Sequence, residues 1–124
     1  MIDFQNGSFV KLRQVNPQDG TEMVAELLVD GEGVYHAFKT VRDMVIFTNR
    51  RIIAVNVQGL TGRKRDYSTL PYSKVQAFSI ETAGHFDLDA ELELWFSGLG
   101  KVRFEFTGGA PVKQINQMLS AHIL

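Results

Sequence analysis

A chain of 124 residues, 44% of them apolar, is long enough for one domain with a core of its own. Thirteen basic residues against fourteen acidic ones give a formal charge of −1. That balance lacks the basic excess of a general nucleic-acid or membrane binder, so any cationic patch has to be local. With no cysteine, disulfides, thiol catalysis and most structural zinc sites are excluded.

The N-terminus carries Asp3 and no apolar run, so it does not read as a signal peptide. No stretch approaches the ~20 apolar residues of a membrane span. The expectation is a cytoplasmic protein, peripheral to the inner membrane at most. Residues 1–16 are weakly patterned, with one short strand around Phe9–Leu12. Thr21 is a good N-cap for an amphipathic stripe of Met23, Val24, Leu27 and Leu28, and the run from Asp30 to Gly33 stops it, which predicts a short helix over Thr21–Leu28.

Strands follow in series: Val34–Val41, Met44–Thr48, Arg51–Val57, Arg63–Leu70, Lys74–Thr82, Leu88–Phe96 and Lys101–Thr107. Asn49 and Arg50 read as a two-residue hairpin turn, since Asn tolerates positive φ. The segment Ala83–Asp87 reads as a turn. Two of the hairpins are patterned differently. Leu92, Leu94 and Phe96 face Val102, Phe104 and Phe106 across an odd loop near Gly98, which leaves Glu91, Glu93, Trp95, Lys101, Arg103 and Glu105 on the outside. Met44–Thr48 and Arg51–Val57, by contrast, are apolar on both faces, so a second layer has to cover them. The short helix would cover part of that face and a second copy of the chain the rest. After Gly108 and Gly109, Pro111 opens a helix whose stripe is Val112, Ile115, Leu119 and Ile123, suited to capping the open end of a small barrel.

Five blocks in order carry a family resemblance: Arg42–Asp43, Phe47–Ile53 (FTNRRII), Gln58–Lys64 (QGLTGRK), Leu70–Val75 (LPYSKV) and Glu81–Trp95 (ETAGHFDLDAELELW). They resemble the bacterial pleckstrin-homology (PH) domain family, once catalogued as a domain of unknown function. The resemblance covers roughly residues 31–124, with 1–30 as an N-terminal arm and short helix. It implies a mainly β fold, a PH-like seven-stranded barrel or sandwich capped by one C-terminal helix, and a tendency to form ring-like homo-oligomers. It implies no ligand and no catalytic residue.

PH-like barrels open their first, third and sixth inter-strand loops at one end. The resemblance would thus gather Lys39, Arg42, Arg63, Lys64, Arg65 and Lys101 there, where they would hold an anionic phosphate or lipid headgroup. Against that reading stand Asp43 and Asp66, which dilute the loops, and strand alternation, which splits Lys64 from Arg63 and Arg65. A solvated hairpin edge is the better reading of the run. Asp87, Asp89, Glu91 and Glu93 alternate along one strand face, but strand neighbours two apart are about 7 Å apart, too far for a linear row to chelate a cation. His36, His85 and His122 share no ligand spacing. Among catalytic motifs, no Gly-x-Ser-x-Gly and no HExxH is present, so the expectation is not an enzyme, with no cofactor, metal or nucleic acid. What remains is a non-catalytic interaction module that self-assembles and contacts unknown protein partners. Its interface is expected at Phe47, Trp95, Glu93 and Arg103, aromatic anchors within a charged rim. The alternative is a peripheral binder of anionic headgroups through the basic loops.

Overall fold

The computed structural model describes residues 1–6, 9–82 and 89–124. The turn expected at Ala83–Asp87, with His85, Asp87 and the start of the strand at Leu88, lies outside the described residues. The chain divides into two compact units: residues 1–2 with 14–71, and residues 3–13 with 72–124. Among the described residues the fold is mostly β, with eight strands rather than seven, in sheets that are not closed, plus one α-helix near each terminus. The eighth strand, β1 (Phe9–Val15), is the short arm strand extended by three residues.

In the first unit, β2 (Val34–Lys39), β3 (Met44–Thr48), β4 (Arg51–Gln58) and β5 (Lys64–Pro71) form an antiparallel meander. The turn between β3 and β4 sits at Asn49 and Arg50, but without positive φ. The only non-glycine residue with positive φ among those described is Lys11, at an irregularity of β1. The Thr48 hydroxyl accepts from the N–H groups of Arg50 and Arg51, both at 3.0 Å, and so closes the turn. Asn49 serves elsewhere: its amide donates to the Gly31 carbonyl and accepts from the Gly33 N–H.

The first helix, α1, is Pro17–Val24, followed by a 3-10 turn over Ala25–Leu27, so it begins four residues before the expected start. The stronger start signal is Asn16, whose Oδ1 accepts from the Gln18 N–H at 2.9 Å, with Pro17 in the first turn, where no amide hydrogen is needed. Gly20 lets the helix lie close on β2: a Cβ there would come within 2.9 Å of the Ala37 Cβ. The helix thereby delivers Val24 to a cluster with Ala37, Met44, Ile46, Ile53 and Val55, edged by Val15, Met23, Leu28, Val34 and Val57. This cluster is the second layer that β3 and β4 demand. Every residue of β3 is buried, as is Ile52–Val55 of β4. No second copy is needed to cover that face, which corrects the expectation drawn from its apolarity.

One buried polar knot pins the segment between α1 and β2. The side chain of Glu32, 0% exposed, accepts from Arg51 Nε at 2.9 Å, Arg51 Nη2 at 3.0 Å, the Thr48 hydroxyl at 2.7 Å and the Val29 N–H at 3.1 Å. Arg51 also donates to the Leu27 carbonyl and to Thr69. Burial pushes the Glu32 carboxyl up, but the bonds from Arg51, Thr48 and Val29 outweigh it and hold the group below its ordinary range.

In the second unit, β6 (Val75–Thr82), β7 (Ala90–Phe96) and β8 (Gly100–Phe106) are antiparallel, and β1 pairs parallel to β8. Leu92 lies opposite Phe104 and Leu94 opposite Val102, with three residues in the loop, as the alternation requires. The C-terminal helix α2 (Val112–Ile123) buries Ile115 and Leu119 completely.

Candidate functional site

The loop of residues 40–43 between β2 and β3 and the loop of residues 59–63 between β4 and β5 are tied together. The Arg42 guanidinium donates to the Gly59 carbonyl. Gly59 (φ +76°) and Gly62 (φ +67°) bracket Leu60 and Thr61, conformations that side chains with a Cβ adopt at a cost. At Gly62 an added Cβ would also press on Val57 at 3.2 Å. The other loop is a tight turn, with Thr40 N–H donating to the Asp43 carbonyl at 2.9 Å and Asp43 N–H to the Thr40 hydroxyl at 3.1 Å.

Asp43, which in the sequence dilutes the cations, is turned to structural use. Its carboxylate accepts from the Val57 N–H at 2.9 Å and from the Asn56 amide at 3.3 Å. Asp66 is likewise engaged, by the Ser68 hydroxyl at 2.7 Å and the N-terminal ammonium at 3.0 Å. The Ser68 bond comes first among the causes that lower its pKa. Of the basic residues, Arg65 donates to the Gly62 carbonyl at 3.3 Å, and Arg42, Arg63, Lys64 and Arg65 are exposed, with Lys39 half-buried. None of these five has an ion-pair partner among the described residues. The tips of the two loops carry the most exposed apolar side chains of this unit, Val41 at 92% and Leu60 at 107%. Single apolar residues at loop tips give no pattern in sequence, so they were not legible as site residues.

Lys101 belongs to the other unit and is engaged there, with its Nζ 3.0 Å from Glu93 and 5.8 Å from the centroid of the Trp95 ring. On that outer sheet face the rows run Ala77, Trp95 and Lys101; Ser79, Glu93 and Arg103; Glu81, Glu91 and Glu105. Arg103 Nε lies 2.6 Å from Glu91 and Nη2 3.4 Å from Glu105. The hydrogen bond to Glu91, above all, raises the guanidinium's pKa. Trp95 stands 50% exposed among these ion pairs. Three of the four expected interface residues therefore share one face. The fourth does not: Phe47 is 0% exposed, edge-on to Phe38 at 5.7 Å, and its side chain is core rather than surface.

The carboxylate row is dispersed into pairs, Asp89 accepting from the Thr107 hydroxyl at 2.8 Å, Glu91 with Arg103 and Glu93 with Lys101. Among the described residues no group of three or more carboxylates and histidines is arranged to hold a metal. His122 stacks on Tyr72 at 5.8 Å, and His36 on Phe38 at 6.4 Å, where burial lowers the imidazole pKa. No helix among the described residues is long and apolar enough to cross a membrane.

A family model for the bacterial PH domain matches residues 3–123, and the chain belongs to that family. It is 44% identical over 102 residues to the uncharacterised protein YjqA of Bacillus subtilis, covering 81% of this chain and 82% of that one. Among solved structures it is similar to a DUF1696-family protein with a pleckstrin-homology domain from Shewanella loihica (TM-score 0.79, 35% identity, 93% and 99% of the two chains). A pleckstrin-homology domain from Shewanella amazonensis matches at a TM-score of 0.66 with 36% identity over 96% and 93%. Such domains are interaction modules, generally without catalysis.

Proposed function

We propose that this bacterial PH domain is a non-catalytic module that docks on surfaces bearing anionic phosphate, through the loops of residues 40–43 and 59–63. The observation that supports this reading is the pairing of two fully solvated apolar tips, Val41 and Leu60, with five cations that have no ion-pair partner among the described residues. Apolar tips without cations would be an aggregation hazard, and cations without tips a merely solvated edge. Together they fit a lipid interface, where each Lys or Arg near an anionic leaflet contributes about 1 kcal/mol. Burying an aliphatic tip in the acyl boundary adds roughly 1.5–3 kcal/mol. The contact is reversible and weakens with salt.

Co-sedimentation with phosphatidylglycerol-rich vesicles tests it. The expected result is binding to these and not to phosphatidylcholine vesicles, with a tenfold or greater loss for Arg63→Glu and for the double variant Val41→Asp, Leu60→Asp. Indifference of the folded wild-type protein to acidic vesicles at low salt would end this reading.

A second reading, self-association and protein contact, draws on Trp95, half exposed with Glu93, Lys101 and Arg103 around it. An aromatic within a charged rim suits a partner's surface. Light scattering at about 100 μM should then show an assembly that Trp95→Ala shifts to smaller species, and a monomeric wild type at that concentration contradicts it.

A further inference from the structure

The two hairpin-edge strands β5 and β6 are hydrogen-bonded on one side only among the described residues, to β4 and to β7. They are protected very differently. β5 (KRDYSTLP) carries Lys64, Arg65, Asp66 and Pro71, and the chain start lies against it, with the Ile2 N–H donating to the Ser68 hydroxyl at 3.1 Å. Charges, proline and a covering segment are the usual devices that stop an edge from pairing. β6 (VQAFSIET) is equally long but has one charge, Glu81, and no proline. Its inward side chains are incompletely covered. Phe78 and Ile80 are half-buried, whereas Leu94 and Leu92, their partners across β7, are fully buried. Beside this edge runs a groove of about 310 Å³ between Ile80 and the first two turns of α2, lined by Val112, Lys113, Asn116 and Gln117.

We propose that the β6 edge and this groove take up an extended segment of a partner protein, added to the sheet as a further strand. An added strand lies about 4.8 Å from β6 and takes up its unpaired backbone groups. Alternate side chains of that strand turn inward, covering Phe78 and Ile80 and entering the groove against Val112. The same lining holds Lys113, Asn116 and Gln117. The first turn of α2 holds no acidic residue, so its helix dipole and Lys113 both favour a carboxylate there. The occupant is thus a β-forming segment with alternating apolar residues and at least one Asp or Glu.

The test is selection of a displayed random peptide library on the intact protein. The selected peptides are then synthesised, and their affinity and the hydrogen exchange of the protein's amides are measured. Enrichment of alternating apolar sequences with an acidic residue is expected, with slowed exchange of the Val75–Thr82 amides on binding. Ile80→Arg should weaken the selected peptide at least tenfold. Because that variant alters a half-buried position, Lys113→Glu on the exposed helix surface provides the second measurement, and should weaken acidic peptides several-fold and favour basic ones. Three outcomes would overturn the proposal: no enriched class, binding that leaves β6 exchange unchanged, or an edge occupied by a second copy, seen as a concentration-dependent dimer that Ile80→Arg abolishes.

Discussion

The hairpin of β3 and β4 and the hairpin of β7 and β8 are both rich in apolar residues, yet only one leaves a face to the outside. In β3 all five residues are buried, with Met44 and Ile46 in the cluster that Val24 of α1 joins and Phe47 edge-on to Phe38. In β7 burial alternates, and Glu91, Glu93 and Trp95 face outward. A strand apolar on both faces is therefore a statement about the chain's own layers, while an alternating strand with an aromatic among charges is a statement about what it can meet. Phe47 is therefore closed to partners, while Trp95, the loop tips and the edge of β6 are open to them.

The comparison breaks most directly at Phe47. If its ring serves the chain's own core, Phe47→Ala should cost about 3–5 kcal/mol in denaturant unfolding, with no separate effect on assembly in the folded fraction. A loss below about 1 kcal/mol would return Phe47 to the surface. Close behind comes Glu32, which ties the α1-to-β2 segment to β4. Removing one partner of a buried ion pair leaves the other uncompensated, so Glu32→Ala should cost about 3 kcal/mol. Since the carboxyl is held below its ordinary range, its contribution is present above about pH 4.5 and fades as the pH falls below it. On the open face, Trp95→Ala should cost under about 1 kcal/mol of stability, because the residue is already half exposed. A larger loss would mean the indole packs into its own sheet and is no anchor for anything else.

How much of this was legible in the sequence follows the range of the forces. All seven expected strands are found within about two residues where they fall among the described residues, since period-two alternation and turn residues are local signals. The odd loop of β7 and β8 was readable for the same reason. The start of α1 was misplaced because a stripe of apolar residues at Met23–Leu28 drew the boundary toward itself, while Asn16 and Pro17, four residues earlier, carry the cap. The link between Glu32 and Arg51 spans 19 residues with nothing between to announce it. The sequence places Asp43 among cations. Only the structure shows its carboxylate spent on Val57 and Asn56, where it holds the loop in place.

The smallest effect belongs to His36, and it distinguishes the covered sheet from the open one by pH. His36 lies on β2 opposite Phe47, stacked on Phe38, and its imidazole is half-buried, whereas Trp95 and the cations beside it are exposed. Burial disfavours the imidazolium and places its pKa below the ordinary value of about 6.5. Between the folded and unfolded values the unfolded chain binds more protons, so stability rises with pH across that window. Stability from this group is fully present above about pH 6.5 and is lost as the pH falls toward the folded value. In urea titrations between pH 7.5 and 5.5 the wild type should lose midpoint progressively, and His36→Gln should flatten that part of the slope. An unchanged slope in the variant would assign the pH dependence to other groups and leave His36 solvated, which the stacking on Phe38 argues against.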